Sequence, residues 1–172
     1  KNIKALNGSI EIQSEKGKGT KFSVSLPLTL AIVDGMATKV GDQTYIIPLL
    51  NIVESLKPQK DKIKTVNENV EVMFIRGEYI PLLRLKQCLL TEGAKGVDDL
   101  SEGIAIIVEV ENVKVALFVD ELLGQLQVVI KNLEDNYKPV EGLSGASILG
   151  DGSVALIIDL QGLVDMSQRE NK

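Results

Sequence analysis

Few residue types able to do chemistry are present in this chain, and their spacing couples hardly any of them. There is no histidine among the 172 residues. That removes a histidine general base, a histidine nucleophile and a phosphorylatable histidine at once. The one cysteine, Cys88, stands in Leu85-Lys86-Gln87-Cys88-Leu89. With no histidine to activate it, Cys88 reads as a small buried residue and not as a thiol nucleophile. The same counts exclude a zinc site of the usual Cys/His type. The acids nearest apolar segments are Asp34, Glu54, Asp120, Glu121 and Asp159. No spacing pairs two of them for acid/base work, and Asp34 and Asp159 read as turn or cap residues.

Three stretches are better suited to binding. In Gly17-Lys18-Gly19-Thr20 the glycines would let backbone amides face a phosphate. The stretch does not match the phosphate-loop pattern, which needs Gly-Lys-Ser/Thr running into a helix, and a glycine hairpin turn is the favoured reading. Arg76-Gly77 stands at a turn beside Tyr79. That pairing suits an interface anchor and equally a turn that needs positive φ. Leu122, Leu123, Leu126, Val128 and Ile130 form a long apolar stretch. Core is the default reading, and a surface patch meeting a partner is the alternative.

Composition narrows the classes further. The chain is 44% hydrophobic, mostly Val, Ile and Leu, with 3% aromatics and no tryptophan. Base stacking is therefore poorly provisioned, as is the aromatic groove that proline-rich ligands want. The net charge of −5 argues against nucleic acid and anionic membranes, which attract a basic face. A single cysteine allows no intrachain disulfide and fits a reducing, cytosolic setting. No signal peptide, lipidation motif or membrane span is legible. The nearly uncharged run over residues 25–36 is shorter than the roughly 20 apolar residues a span takes. Lys1 reads as lying inside a helix, so the chain is expected to be a piece of a longer protein.

These residues must be positioned by mostly β elements. Residues 1–6 read as a last helical turn closed by Asn7-Gly8. Residues 9–13 and 20–26 alternate polar and apolar, which predicts a hairpin with Phe22, Val24 and Leu26 inward. After a seam over residues 25–36, strands are predicted near 44–49, 70–75, 79–83, 104–110, 113–119, 125–130, 142–149 and 154–158. Pro48 marks a strand end or a sheet edge. Residues 50–56 read as a short helix or a bent strand, and 84–90 as a helical turn or two. Loops are predicted over 57–69, with perhaps one short strand, and over 91–103 and 131–141. Asp159 is expected to cap a helix through about residue 166. About ten short strands with close turns point to an all-β barrel or sandwich, because the helix-strand alternation of a parallel α/β sheet is missing.

Taken in order, the motifs resemble one family. Leu26-Pro27-Leu28-Thr29-Leu30-Ala31-Ile32-Val33-Asp34-Gly35-Met36 is similar to the junction between the ATP-binding and regulatory domains of the CheA family of chemotaxis histidine kinases. Val40-Gly41-Asp42-Gln43-Thr44-Tyr45-Ile46-Ile47-Pro48-Leu49 resembles the first motif of its CheW-like regulatory domain. Arg76-Gly77-Glu78-Tyr79-Ile80-Pro81-Leu82-Leu83-Arg84-Leu85 resembles the second. The segments from Val119 to Lys131, and from Leu143 through Asp159, resemble the third and fourth.

The resemblance implies two SH3-like five-stranded β-barrels preceded by a remnant of an α/β ATPase domain. It implies boundaries at 1–26 for that remnant, 27–36 for a linker or first strand, 37–166 for the two-lobed regulatory domain and 167–172 for a polar tail. Gly17, Gly19 and Thr20 would then be the last glycine box of an ATP site whose other parts are absent. No cofactor is expected here, ATP and Mg²⁺ belonging to the parent kinase, and the piece itself is expected not to be an enzyme. The implied partners are the adaptor CheW and chemoreceptor tips, in a homodimeric parent at cytoplasmic receptor arrays. Arg76, Tyr79, Leu122, Leu123, Leu126 and Val128 are the candidate partner-binding residues. Alternative readings are a freestanding CheW-type adaptor, which has no reason to carry the Gly17–Thr20 hairpin, an intact ATPase, and a generic SH3-like peptide binder.

Overall fold

A computed structural model describes residues 9–25, 32–68, 70–89, 98–130 and 140–170. The expected N-terminal helix turn, residues 26–31 of the seam with Leu26, most of the loop expected over 91–103, and residues 131–139 of the next loop lie outside these residues. The chain divides into two units, Lys1–Ile32 and Val33–Lys172. In the first, β1 (Ser9–Glu15) pairs antiparallel with β2 (Gly19–Ser25), so the predicted hairpin is present. Gly17 and Gly19 hold φ of 87° and 96°, which explains glycine at both positions. The prediction that Phe22 points inward is corrected. Phe22 is 66% exposed, and Ile12, its register partner, is exposed with it. A two-stranded ribbon covers neither of its own faces, and among the described residues of this unit nothing else covers this one.

The second unit holds two sheets. The first lobe is a five-stranded sheet in the order β11-β3-β4-β13-β12, built from β3 (Ile32–Val40), β4 (Gln43–Pro48), β11 (Glu121–Val129), β12 (Leu143–Ile148) and β13 (Val154–Ile158). The second lobe is a six-stranded sheet in the order β5-β9-β10-β8-β7-β6. Its strands are β5 (Ile52–Leu56), β6 (Ile63–Asn67), β7 (Val70–Ile75), β8 (Glu78–Arg84), β9 (Ile104–Val110) and β10 (Val113–Val119). The all-β, two-lobed class is as expected, with six strands in place of five in the second lobe. The extra strand arises because a 3-10 turn over Lys60–Lys62 lets the segment after β5 supply β6. The lobes are not consecutive in sequence. The second is inserted between the β3–β4 hairpin and β11–β13 of the first.

Turn chemistry follows the residues. Arg76 and Gly77 both hold positive φ, 48° and 86°, as do Glu111 and Asn112, at 49° and 67°. Two-residue hairpins of the I′ type demand this, because their twist matches that of the strands. Pro48 ends β4 without being at an edge, since β4 lies between β3 and β13. It pairs with Gly35, where an added Cβ would come within 2.3 Å of Ile46. Residues 49–51 form a 3-10 turn and then β5 begins, which resolves the helix-or-strand choice there. Helix α1 (Leu85–Cys88) is a single turn, and α2 (Leu160–Glu170) runs past the expected end at 166.

Burial explains the strongly β-branched strands. In β9 and β10 the alternation separates two buried sets. Ala105, Ile107, Ala116 and Phe118 face a core inside the second lobe with Met73, Ile80 and Leu82. Ile106, Val108, Val115, Leu117 and Val119 face the other way, into a core shared with Val40, Tyr45 and Ile47 of the first lobe. Leu160, Leu163 and Val164 of α2 complete that shared core. A smaller core inside the first lobe holds Ile46, Val128, Ala155 and Ile157. Leu163 is 1% exposed at the shared core. Leu163→Ala is therefore expected to cost about 2–5 kcal/mol, transfer and cavity contributions together. A urea titration of the two proteins measures it.

Candidate interaction surfaces

At the β1–β2 tip, Lys18 Nζ lies 3.4 Å from Glu15 Oε1, and Thr20 Oγ1 is 3.3 Å from Ser14 Oγ. Residues 13–21 are all exposed. Gly17, Gly19 and Thr20 thus form an open turn, and the described hairpin alone does not enclose a nucleotide.

The β7–β8 tip carries a cluster. Arg76 Nη2 is 2.9 Å from Glu54 Oε2 on β5, so the turn is tied to the edge strand that stands first in the order of the same sheet. Tyr79 pairs across the strands with Phe74, their ring centroids 4.9 Å apart and tilted by 51°. Lys64 Nζ on β6 lies 3.1 Å from the Tyr79 hydroxyl and 5.3 Å from its ring centroid. Phe74, Tyr79 and Val66 are all exposed. The result is a solvent-facing aromatic and aliphatic patch with a cation over it, the composition that anchors protein interfaces.

The apolar stretch in β11 is split by its alternation. Leu122, Leu126 and Val128 turn inward. Leu122 packs on the shared core and Leu126 on the first-lobe core, where Val128 is 4% exposed. Leu123 is 49% exposed, and Val129 faces solvent with it. Of the apolar residues singled out there, Leu123 alone offers an open side chain. The edge strands β11 and β12 approach one another and line a groove of about 420 Å³ that includes Leu126, Val129, Ile148 and Leu149.

Some surface residues escaped the sequence reading. Phe74 follows the buried Met73, and strict alternation along β7 exposes it. Leu50 is fully exposed on the 3-10 turn that leads from the first lobe to the second, and no periodicity marks a three-residue turn. Ile148 and Val154 sit opposite each other in the β12–β13 register and are both exposed. Two of the five acids noted for possible chemistry have structural partners. Glu54 pairs with Arg76, and the Asp120 carboxylate accepts from the Gly41 N–H at 2.7 Å. Cys88 is half-buried against the shared core.

Ion pairs fix the turn at residues 98–101. Arg84 forms a two-pronged pair with Glu71, at 2.7 and 2.9 Å, and also donates to the Asp98 carbonyl. The Glu71 hydrogen bond raises the Arg84 pKa against an opposing burial effect. Lys60 pairs with Asp99 and Lys86 with Asp98. The Asp99 carboxyl is held well below its ordinary value, first by the Lys60 hydrogen bond and then by those from Ser101. Asp151 is lowered too, chiefly by the Ser153 hydroxyl and then its N–H. A depressed carboxyl adds stability above its unfolded pKa, about 4, and loses that contribution as pH falls through the folded value. Stability is thus expected to drop as pH is taken below about 4. Asp99→Asn is expected to flatten that slope, and urea midpoints across the acid range check it.

The comparisons with known proteins agree with this architecture. Residues 34–168 match the CheW-like domain, and the chain belongs to that family. It is 44% identical over 170 residues to chemotaxis protein CheA of Salmonella typhimurium, covering 99% of this chain and 25% of that protein. The CheA of Klebsiella aerogenes is 46% identical over 170 residues, with 99% and 26% covered. That of Bacillus subtilis is 37% identical over 163 residues, with 94% and 24% covered. The chain therefore spans about a quarter of the length of these curated relatives. The crystal structure of the scaffolding protein TtCheW from Thermoanaerobacter tengcongensis shares the fold. Its TM-score is 0.61 at 21% identity, over 74% of this chain and 89% of that one.

Proposed function

We propose that the chain is the regulatory, coupling part of a CheA-type chemotaxis histidine kinase. It docks a CheW adaptor and chemoreceptor tips, and it passes receptor state to a kinase domain elsewhere in a homodimeric parent. One observation carries this reading. Identity of 44–46% to CheA proteins runs over 99% of the chain, the β1–β2 hairpin as well as the two lobes. A freestanding adaptor would need only the lobes. On this reading the hairpin closes an ATP-binding domain, residues 27–36 link it to the regulatory domain, and ATP and Mg²⁺ are bound by parts of the parent outside this chain. The parent works in cytoplasmic receptor arrays. No described helix is long and apolar enough to cross a membrane, which is compatible with that setting.

The geometry supports docking in preference to catalysis. Two exposed patches lie on different lobes, Tyr79 with Phe74 and Lys64 on the second, Leu123 with Val129 on the first. A two-lobed body with a patch on each lobe can bridge two neighbours, as assembly into arrays requires. Val128 and Leu126, on the opposite face of β11 from Leu123, pack in the core of the first lobe. Mixing the chain with a CheW adaptor and running size-exclusion chromatography is expected to give co-migration at tens of micromolar. Tyr79→Ala and Leu123→Glu are each expected to weaken the complex about tenfold or more, while circular dichroism stays unchanged. Separate elution of the two proteins at that concentration, or unaltered affinity in both variants, counts against the reading.

A further inference from the structure

The lobes meet in a shared apolar core, which is not directional. They also meet at two hydrogen bonds, which are. Asp120 is the residue between β10 of the second lobe and β11 of the first. Its N–H donates to the Lys39 carbonyl at 2.9 Å, and its Oδ2 accepts from the Gly41 N–H at 2.7 Å. Lys39 and Gly41 flank Val40, the last residue of β3, whose side chain is 1% exposed in the shared core. Gly41 is itself buried and opens the β3–β4 hairpin at a φ of 61°. One residue at the crossover thus holds the end of β3 by main chain and side chain together. Neither translation nor rotation of that end is left free.

We propose that Asp120 is a register pin. It makes β3 and the β10–β11 crossover move as one piece. The other end of β3 is Ile32, where the first unit gives way to the second. A shift of the second lobe is therefore delivered along β3 to residue 32 and is not absorbed in the Gly41-Asp42 turn. The bond is of the charge-assisted kind, a carboxylate accepting from a backbone N–H. The pin concerns the chain alone and stands whichever partners dock on it.

Amide hydrogen exchange on the whole chain, with no partner present, tests this. In Asp120→Ala the Gly41 amide is expected to exchange about 10- to 100-fold faster, the range for losing a hydrogen bond to a charged group. In Asp120→Asn, whose amide oxygen still accepts, most of the protection is expected to stay. Asp120→Glu moves the carboxylate by one methylene and is expected to lose it, which gives a second loss variant should the alanine protein fail to fold. Spin labels on Lys57→Cys and Gln127→Cys, in a Cys88→Ser background, report the distance between lobes. Its distribution is expected to broaden in Asp120→Ala or Asp120→Glu and not in Asp120→Asn. Three results would overturn the pin. One is an unchanged Gly41 rate in both loss variants. Another is acceleration of the β9 and β10 amides by as much as Gly41, which would mean lost stability and no more. The third is an interlobe distribution unaltered by either loss variant.

Discussion

The whole second unit depends on one constraint, that β9 and β10 are apolar on both faces. A sheet with one polar face can stand with that face in water. Here neither face can. Ala105, Ile107, Ala116 and Phe118 need the inside of the second lobe, and Ile106, Val108, Val115, Leu117 and Val119 need a second cover. The first lobe and α2 supply it through Val40, Tyr45, Ile47, Leu160, Leu163 and Val164, joined by Leu83, Leu85 and Leu89 of the second lobe. Each such side chain contributes about 1.5–3 kcal/mol when buried, so the two lobes stand or fall together. Gly142 shows how close the fit is. An added Cβ there would meet Leu163 at 2.9 Å and Leu89 at 3.1 Å, one from each side of the seam between helices.

The shared core also decides what is left for binding. With one outer flank of the second lobe committed at β9 and β10, its uncommitted flank runs over β6, β7 and β8. Phe74 and Tyr79 pair there, exposed. On the first lobe the outward residues of β11 remain open while its inward residues hold the barrel together. Core packing and solvent exposure are thus assigned to opposite faces of β11. A substitution at Val128 acts first on folding, and one at Leu123 first on the surface. The Lys60–Asp99 and Lys86–Asp98 ion pairs, with the Arg84 hydrogen bond to the Asp98 carbonyl, do a different task, holding the 98–101 turn against the second lobe, where Leu100 is buried in one core with Phe118.

Much of this was legible before any coordinates. The hairpin at Arg76-Gly77 is legible because glycine suits the left-handed backbone that such a turn needs. The β-class showed in the alternation and close turns. The interleaving of the lobes did not show, because strand neighbours are set by pairing across distant sequence. Parallel pairings such as Ala155 with Thr44 and Ala116 with Leu82 have no local signature. The sixth strand of the second lobe was obscured because Ile63–Asn67 is polar and sits at a sheet edge. The apolar run in β11 reads as core by default with a partner-facing patch as the alternative, and period-two geometry makes both apply, sending Leu122, Leu126 and Val128 the other way from Leu123. Phe22 failed as an inward residue because alternation tells which face a side chain shares, not whether that face is covered.

The order of strands has a consequence during synthesis. The second lobe, β5 through β10, is one continuous stretch of chain, and its inner core can assemble as soon as that stretch has left the ribosome. β3 and β4 emerge earlier yet must wait. Their neighbours β11 and β13 arrive only after the whole second lobe, and α2 follows them. Throughout that interval the outer face of β9 and β10 lacks its cover. The nascent chain therefore displays a broad sticky surface until α2 is made, and that interval is when a holding chaperone has most to offer it.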